Sequence, residues 1–196
     1  MEGNYNIYIV TDGSCLAANN KTGFDAASAY LILDSNFKVL HKESILLKDH
    51  TNNYAEMYAI YKGTKWIIEN LSDKLEIWDR IVVITDSQLC EKSLNEWMEG
   101  WMKNTKNEKL YSTTGAVKNQ ELIKSTYINI LTLKLKFTTY ICHMNSHKPE
   151  SEVPKMYNKF MEKYNKVDIS LEEFKQIYLA NQIVDKMAYN ELNSNN

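Results

Sequence analysis

Glycine, proline and cysteine are all scarce in this chain: 6, 2 and 3 in 196 residues. So little glycine and proline excludes a collagen-like repeat or a Pro/Gly-rich low-complexity segment. Cys15, Cys90 and Cys142 are odd in number and far apart, and no CxxC pair exists. That excludes a disulfide framework and a zinc knuckle, and it points to a reducing, cytoplasmic setting. No apolar run is long enough to span a bilayer, so no membrane partner is expected. The start, Met1-Glu2-Gly3-Asn4, lacks the basic residues and apolar stretch of a secretory signal. Positive charge is not in excess either. With a net charge of −2, any nucleic-acid contact must come from a local patch of lysine rather than from the field of the whole molecule.

What is present is an ordinary globular composition, 44% hydrophobic and 24% charged, over a length that suits one domain with a core. A single domain over residues 1–196 is expected, and a monomer. The strand pattern starts at Asn6, with Ile7, Ile9 and Thr11 on one face and Tyr8, Val10 and Asp12 on the other. Two further strands, Ala26 to Leu33 and Lys38 to Leu47, flank the turn signal Asp34-Ser35-Asn36 and read as a hairpin. Thr51 to Asn70 has helical spacing, with Thr51 or Asn52 as its cap. Arg80 to Thr85 is a short apolar run of the kind found in strands covered on both faces. Helices are expected over Ser87 to Met102 and Lys118 to Ile130, and a strand over Lys134 to Cys142, where Leu133, Leu135, Phe137, Thr139 and Ile141 alternate. Ser170-Leu171-Glu172-Glu173 is a capping-box signal that opens a helix running to about Glu191, with a break expected near Asn181. Three strands, helix, strand, helices, strand, helix make an α/β fold, a mixed sheet with helices on its faces.

Two acids end strands beside turn residues: Asp12 in Thr11-Asp12-Gly13-Ser14, and Asp86 in Thr85-Asp86-Ser87-Gln88. Carboxylates at the ends of neighbouring core strands converge on one sheet edge, and their mutual repulsion raises their pKa values unless a cation neutralises them. A hard divalent cation with oxygen ligands suits such a group, and Mg²⁺ fits best. Two such ions can activate a water and stabilise a leaving oxygen in phosphodiester hydrolysis. Each tetrapeptide also has a plain structural use, since Asp is favoured in turns and at helix caps without any chemistry. Glu56, early in a helix, is explained equally well by its position.

The combination resembles the type 1 ribonuclease H family. Thr11-Asp12-Gly13-Ser14-Cys15 is similar to the family's first-strand motif, Thr51-Asn52-Asn53-Tyr54-Ala55-Glu56 to its first helix start, and Thr85-Asp86-Ser87-Gln88 to its third carboxylate motif. Glu96-Trp97-Met98-Glu99-Gly100-Trp101 resembles the two-tryptophan helix that leads into its handle, and Ala116-Val117-Lys118-Asn119 the segment after it. Asn181-Gln182-Ile183-Val184-Asp185-Lys186-Met187-Ala188 resembles the last motif. The six come in family order from about Tyr5 to Glu191.

The resemblance implies the ribonuclease H-like fold, a mixed five-stranded sheet with three antiparallel strands and then parallel ones, and helices on both faces. It implies an endonuclease that hydrolyses the RNA strand of RNA–DNA hybrids and leaves 5′-phosphate and 3′-hydroxyl ends. Asp12, Glu56, Asp86 and Asp185 would hold two Mg²⁺ ions, for which Mn²⁺ could substitute. Cys15, Asn52, Asn53 and Gln88 would read 2′-hydroxyls, a task for side chains that both donate and accept. Asn19 or Asn20 would stand in for a loop asparagine, because Ala17-Ala18 occupy its usual place. Trp97, Trp101, Lys103, Lys118 and Asn119, with Lys106 and Lys109, would grip the other strand through sequence-independent phosphate contacts. The tryptophans also suit a core, and the lysines a solvated face. A non-cleaving hybrid-binding module and a DNA-acting nuclease of the same superfamily are the competing functions.

Two expectations rest on less. The family's mobile histidine matches His147, after Ser146, better than His143, which lies nearer the strand and suits a structural role. Between His147 and Asp185 stands an insertion, about residues 148–180, longer than the family's usual loop. It suits an extra helical lid, a second basic surface or, as the preferred reading, a packing cluster of Tyr157, Phe160 and Tyr164. The insertion also creates a rival last carboxylate, Asp168, in Asn165-Lys166-Val167-Asp168. Asp185 has the fuller motif, while Asp168 is explained by the Ser170 cap beside it.

Overall fold

A computed structural model describes residues 5–16, 25–76, 79–145 and 148–194. His147 and Ser146, and Asn19 and Asn20, lie outside the described residues. Strand β1 (Asn6–Cys15) pairs antiparallel with β2 (Ala26–Leu33), which pairs antiparallel with β3 (Val39–Leu47). The turn between β2 and β3 is built by Asp34, whose Oδ1 accepts hydrogen bonds from the backbone N–H of Asn36 and of Lys38, both 2.9 Å long. Helix α1 (Asn52–Asn70) starts at Thr51, whose hydroxyl accepts from Tyr54 N. It leads to β4 (Arg80–Thr85), parallel to β1.

Ser87 caps the next helical run. That run is not a uniform helix: α2 (Gln88–Lys92) passes through a π-helical turn, Ser93–Trp97, into α3 (Met98–Lys103). A two-stranded ribbon follows, β5 (Tyr111–Ser112) with β6 (Gly115–Ala116), which the sequence pattern does not announce. Helix α4 (Gln120–Lys136) is longer than expected and β7 (Thr138–His143) correspondingly shorter. Residues 134–136, assigned to a strand by their alternation, close the helix. Leu135, put on one face with Phe137 and Ile141 by that reading, is 86% exposed. The helical spacing of Ile123, Thr126, Ile130 and Leu133, all buried, prevails because those side chains seat α4 against the core that α1 shares.

The five-stranded sheet has the order β3-β2-β1-β4-β7, with β1, β4 and β7 parallel. This is the mixed α/β sheet expected. The alternation in β1 sorts its side chains as predicted. Ile7 and Ile9 join the core beneath α1 and α4, and Tyr8 and Val10 join the core on the opposite face.

That opposite face is where the insertion goes. Residues 148–180 form a 3₁₀ turn (Glu150–Glu152), α5 (Val153–Lys163), a second 3₁₀ turn (Asn165–Val167) and the opening turns of α6 (Leu171–Ser194). The C-terminal helix therefore begins inside the segment read as an insertion, and it runs through Asn181 without a break. Ser170 and Glu173 form the expected capping box: Glu173 Oε2 accepts from Ser170 N at 2.7 Å, and Ser170 Oγ accepts from Glu173 N at 3.2 Å. The aromatic residues are a packing cluster. The Phe160 ring lies 5.2 Å from Phe174 and 4.9 Å from Tyr164, and Tyr157 lies 5.7 Å from Phe174. Val153, Phe160, Val167, Ile169 and Phe174 are buried in the same core as Tyr8 and Val10.

Candidate active site

β4 and β7 end together beside β1, which runs on through Gly13 and Ser14, read from sequence as turn residues, to Cys15 because they pair with Ser28 and Ala27 of β2. Thr11 stands beside Thr85 and Thr85 beside His143, so the residues that follow, Asp12 and Asp86, emerge next to one another at the C-terminal edge. Strand neighbours lie about 5 Å apart, which sets the scale of that approach. In parallel α/β sheets this is the edge where ligands bind.

Helix α1 delivers the third acid. Its start presses on β1 so closely that a Cβ on Gly13 would lie 2.5 Å from the Glu56 backbone nitrogen and 2.9 Å from Glu56 Cγ. Glycine at position 13 is what permits the contact. Asn52 steadies the carboxylate, donating from Nδ2 to Glu56 Oε1 at 2.8 Å. Asp185 comes from α6, on the other face of the sheet, and its charge acts on Asp12. Two helices on opposite faces, the interior of β1 and the end of β4 thus contribute one acid each.

The electrostatics are those of crowded like charges. Asp12 is 3% exposed, and its carboxyl is pushed up to about 9 by burial first and by the charge of Asp86 next, with Asp185 adding to them. A hydrogen bond of 2.7 Å from Gly13 N to Asp12 Oδ1 pulls the other way. Glu56 is raised to about 7, chiefly by burial, with the charge of Asp86 adding to it; hydrogen bonds with Ser87 and Asn52 oppose the shift. Among the described residues, no three ligating side chains stand ready around a single point. The four acids share an edge and a field rather than a finished cage. Oxygen-only donors, with Asp12 and Glu56 buried and raised beside Asp86, are the donor set that a hard divalent cation fits.

Asp168 is not part of this edge. Its neighbour Val167 accepts from Arg80 Nη1 at 3.1 Å, and Arg80 is the first residue of β4, at the opposite end from Asp86. Six strand residues put the two ends about 17–20 Å apart. Asp168 holds a left-handed conformation, φ 50°, between the second 3₁₀ turn and the Ser170 cap.

The residues proposed to read the substrate divide into groups. Cys15 Sγ lies 3.9 Å from His50 O, beside the start of α1. Asn53, Trp101, Lys118 and Asn119 line one cavity together with Met57 and Leu89, joining the first helix motif to the handle and the segment after it. Trp97 and Trp101 pack with ring centroids 5.7 Å apart and share a second, open groove with Tyr111 and Ser112. Trp97 is 38% exposed, whereas Trp101 packs partly into the core, so they are not an equivalent pair. Lys103 lies in the last turn of α3. Gln88 is exposed and faces a different cleft, toward the insertion. His143 is tied down: Nε2 lies 3.1 Å from Asp86 O, its backbone N–H donates to Tyr164 Oη at 2.9 Å, and burial lowers its pKa.

Two supports escape a motif reading. Ser87 both caps α2 and interacts with Glu56. Glu91, 2% exposed, accepts from Lys163 Nζ at 3.1 Å and from Asn95 Nδ2 at 3.0 Å, tying the insertion to the helix that carries Gln88. Ser at a cap position is legible in sequence, but nothing local links residues 91 and 163.

A ribonuclease H family model matches residues 4–165. The chain belongs to the ribonuclease H family. It is 33% identical over 114 residues to a ribonuclease H of Neorickettsia sennetsu, covering 58% of this chain and 66% of that one. It is 38% identical over 98 residues to ribonuclease HI of Campylobacter jejuni, covering 50% of this chain and 57% of the relative. The chain thus spans somewhat under two thirds of the length of these curated relatives. Among solved structures, the PFV RNase H domain superposes with a TM-score of 0.66 at 22% identity, covering 98% of this chain and 97% of that domain. RNase H1 from Halobacterium salinarum gives 0.52 at 17% identity, with coverages of 96% and 98%. At these identities the superpositions establish the fold.

Among the described residues, no helix is long and apolar enough to cross a membrane.

Proposed function

We propose that this protein is a divalent-metal-dependent endonuclease that hydrolyses the RNA strand of RNA–DNA hybrids, leaving 5′-phosphate and 3′-hydroxyl ends. The observation that carries the reading is the buried Asp12 carboxyl, raised to about 9 by burial and by the charges of Asp86 and Asp185 at one sheet edge. Such an arrangement is costly in isolation and is relieved by a cation. Asp12, Glu56, Asp86 and Asp185 are the residues that would hold Mg²⁺, in a pair of ions, with Mn²⁺ as a substitute. When bound, the ions supply Lewis acidity toward the phosphodiester and ease deprotonation of the attacking water.

The protein's own contribution is placement. Asn52 orients Glu56, Gly13 lets α1 reach the edge, and Ser87 holds the first turn of α2 against it. Cys15, Asn52, Asn53 and Gln88 would meet the 2′-hydroxyls, which distinguish RNA from DNA. Lys118, Asn119 and Trp101 supply a cavity for the opposite strand, where lysine contacts add affinity without sequence preference. The foamy viral protease–reverse transcriptase, a neighbour in fold, was solved in complex with an RNA/DNA hybrid. The free thiols Cys15, Cys90 and Cys142 suit a reducing cytoplasm.

The test is cleavage of three substrates, an RNA–DNA hybrid, duplex DNA and single-stranded RNA, each with Mg²⁺, Mn²⁺ or chelator. Metal-dependent cutting of the hybrid alone is expected. Binding of the hybrid without cutting would favour the non-cleaving module, and cutting of duplex DNA would favour the DNA-acting nuclease.

A further inference from the structure

The insertion opens a cleft beside the acids. The floor is apolar, with Met144, Phe160 and Phe174 buried beneath it. The rim is polar, with Gln88 and Asn145 on the sheet side and Lys159 and Lys163 on α5. His143 also lines it, and its ring lies against the Asp86 carbonyl, so the cleft begins where the carboxylate edge ends.

The two lysines are not equivalent. Lys163 is committed: Glu91 neutralises it at 3.1 Å, and it lies 4.9 Å over the Tyr164 ring. Lys159, one turn earlier on α5, is exposed at the mouth and makes no ion pair among the described residues. Glu91 and Lys163 hold the wall of the cleft in place, which leaves the Lys159 ammonium as its available charge. An apolar floor, side-chain amides and one unspent ammonium suit one repeat of a nucleic-acid strand. The sugar would rest on the floor and the phosphodiester on the ammonium, the usual sequence-independent contact.

We infer that this cleft is an added subsite for the cleaved strand, taking a nucleotide next to the scissile position, with Lys159 pairing its phosphodiester and Met144 and Phe160 beneath its sugar. The inference rests on the hybrid-cleaving function proposed above and deepens it: the insertion lengthens the substrate groove on the β7 side.

Steady-state cleavage of hybrids whose cleaved strand is shortened stepwise from either end tests this. Shortening from one end should raise the wild-type KM about two- to fivefold as the subsite empties, the scale of one exposed ion pair. Lys159→Ala should show that raised KM on the full-length hybrid and no further rise on shortening. Lys159→Glu should raise KM more, and Lys159→Arg should restore it. The salt dependence of binding should lose about one phosphate contact in Lys159→Ala. Lys155→Ala, exposed on the same helix but outside the cleft, should behave as wild type. Cleavage with a KM and salt slope indifferent to Lys159 overturns the subsite alone. Failure of the wild type to cut any hybrid overturns the hydrolase reading and the subsite with it.

Discussion

Gly13 and Glu56 touch: a Cβ on the glycine would lie 2.9 Å from Glu56 Cγ and 2.5 Å from the Glu56 backbone nitrogen. The helix that supplies one acid therefore sits on the strand that supplies another only because position 13 has no side chain. Gly13→Ala should force α1 away from β1. Overpacking of this kind costs about 1–3 kcal/mol in stability. Displacement of Glu56 by a fraction of an ångström to an ångström should lower hybrid cleavage by about 100-fold. Thermal unfolding and cleavage rates measured on the same preparation check both, and a variant as active as wild type would show that Glu56 need not be so close.

Asp12 gives the pH dependence its sign. Its carboxyl titrates at about 9 when folded, against an ordinary 3.8, so the folded state holds the proton more tightly than the unfolded chain does. Stability from this group is fullest below about pH 4 and is lost as pH rises toward about 9. Glu56 adds to the same trend between 4.5 and about 7. In chelator, the melting temperature should fall across that window. Asp12→Asn should flatten the slope, raise stability at neutral pH and abolish cleavage. Mg²⁺ should restore stability to the wild type at high pH and do little for Asp12→Asn. A wild-type melting temperature that rises with pH over this range would count against the buried, mutually repelling acids.

Asp185 and Asp168 make opposite predictions. Asp185 faces Asp12 from α6, while Asp168 sits beside Val167 near the far end of β4. Asp185→Asn should reduce cleavage by orders of magnitude while leaving the unfolding midpoint close to wild type. Asp168→Asn should keep cleavage, since Asn tolerates the left-handed backbone at φ 50°. Single-turnover rates on one hybrid decide between them, and an inactive Asp168→Asn with an active Asp185→Asn would reverse the assignment.

Lys163 and Glu91 form the tie between insertion and α2. Lys163→Met removes a partner from a carboxylate that is 2% exposed and leaves it one hydrogen bond, from Asn95. A buried acceptor stripped of a partner costs about 1–3 kcal/mol. Glu91→Gln, which removes the charge and keeps the shape, should cost less. Denaturant unfolding of the two variants gives the comparison, and equal stability for all three proteins would show that α5 is held by apolar packing alone.

Much of this molecule is readable from local sequence. Thr51, Ser87 and Ser170 cap the helices they precede, Asp34 builds its turn, and the alternation in Asn6–Thr11 sorts Ile7 and Ile9 from Tyr8 and Val10 onto opposite faces. These features depend on a few neighbouring residues and on a period of two or 3.6. Asp12, Glu56 and Asp86 belong with them, because each sits in a tight motif, within β1, at the start of α1 and just after β4. The boundary between α4 and β7 does not. Residues 133–137 satisfy both periods, and the packing of Ile130 and Leu133 into the core settled the matter, leaving Leu135 in solvent.

The last acid and the insertion belong to the tertiary structure. The sequence favours Asp185 by its fuller motif and keeps Asp168 as a rival. Only the path of the chain, which sends Val167 back to Arg80 and runs α6 unbroken along the sheet, puts one at the edge and the other at the far end. The link between Glu91 and Lys163 is likewise invisible locally, since 72 positions separate them. Short-range hydrogen bonding and side-chain periodicity are written into neighbouring residues. Contacts between distant segments are chosen by how apolar faces pack on one sheet, and that choice decides which carboxylates repel one another.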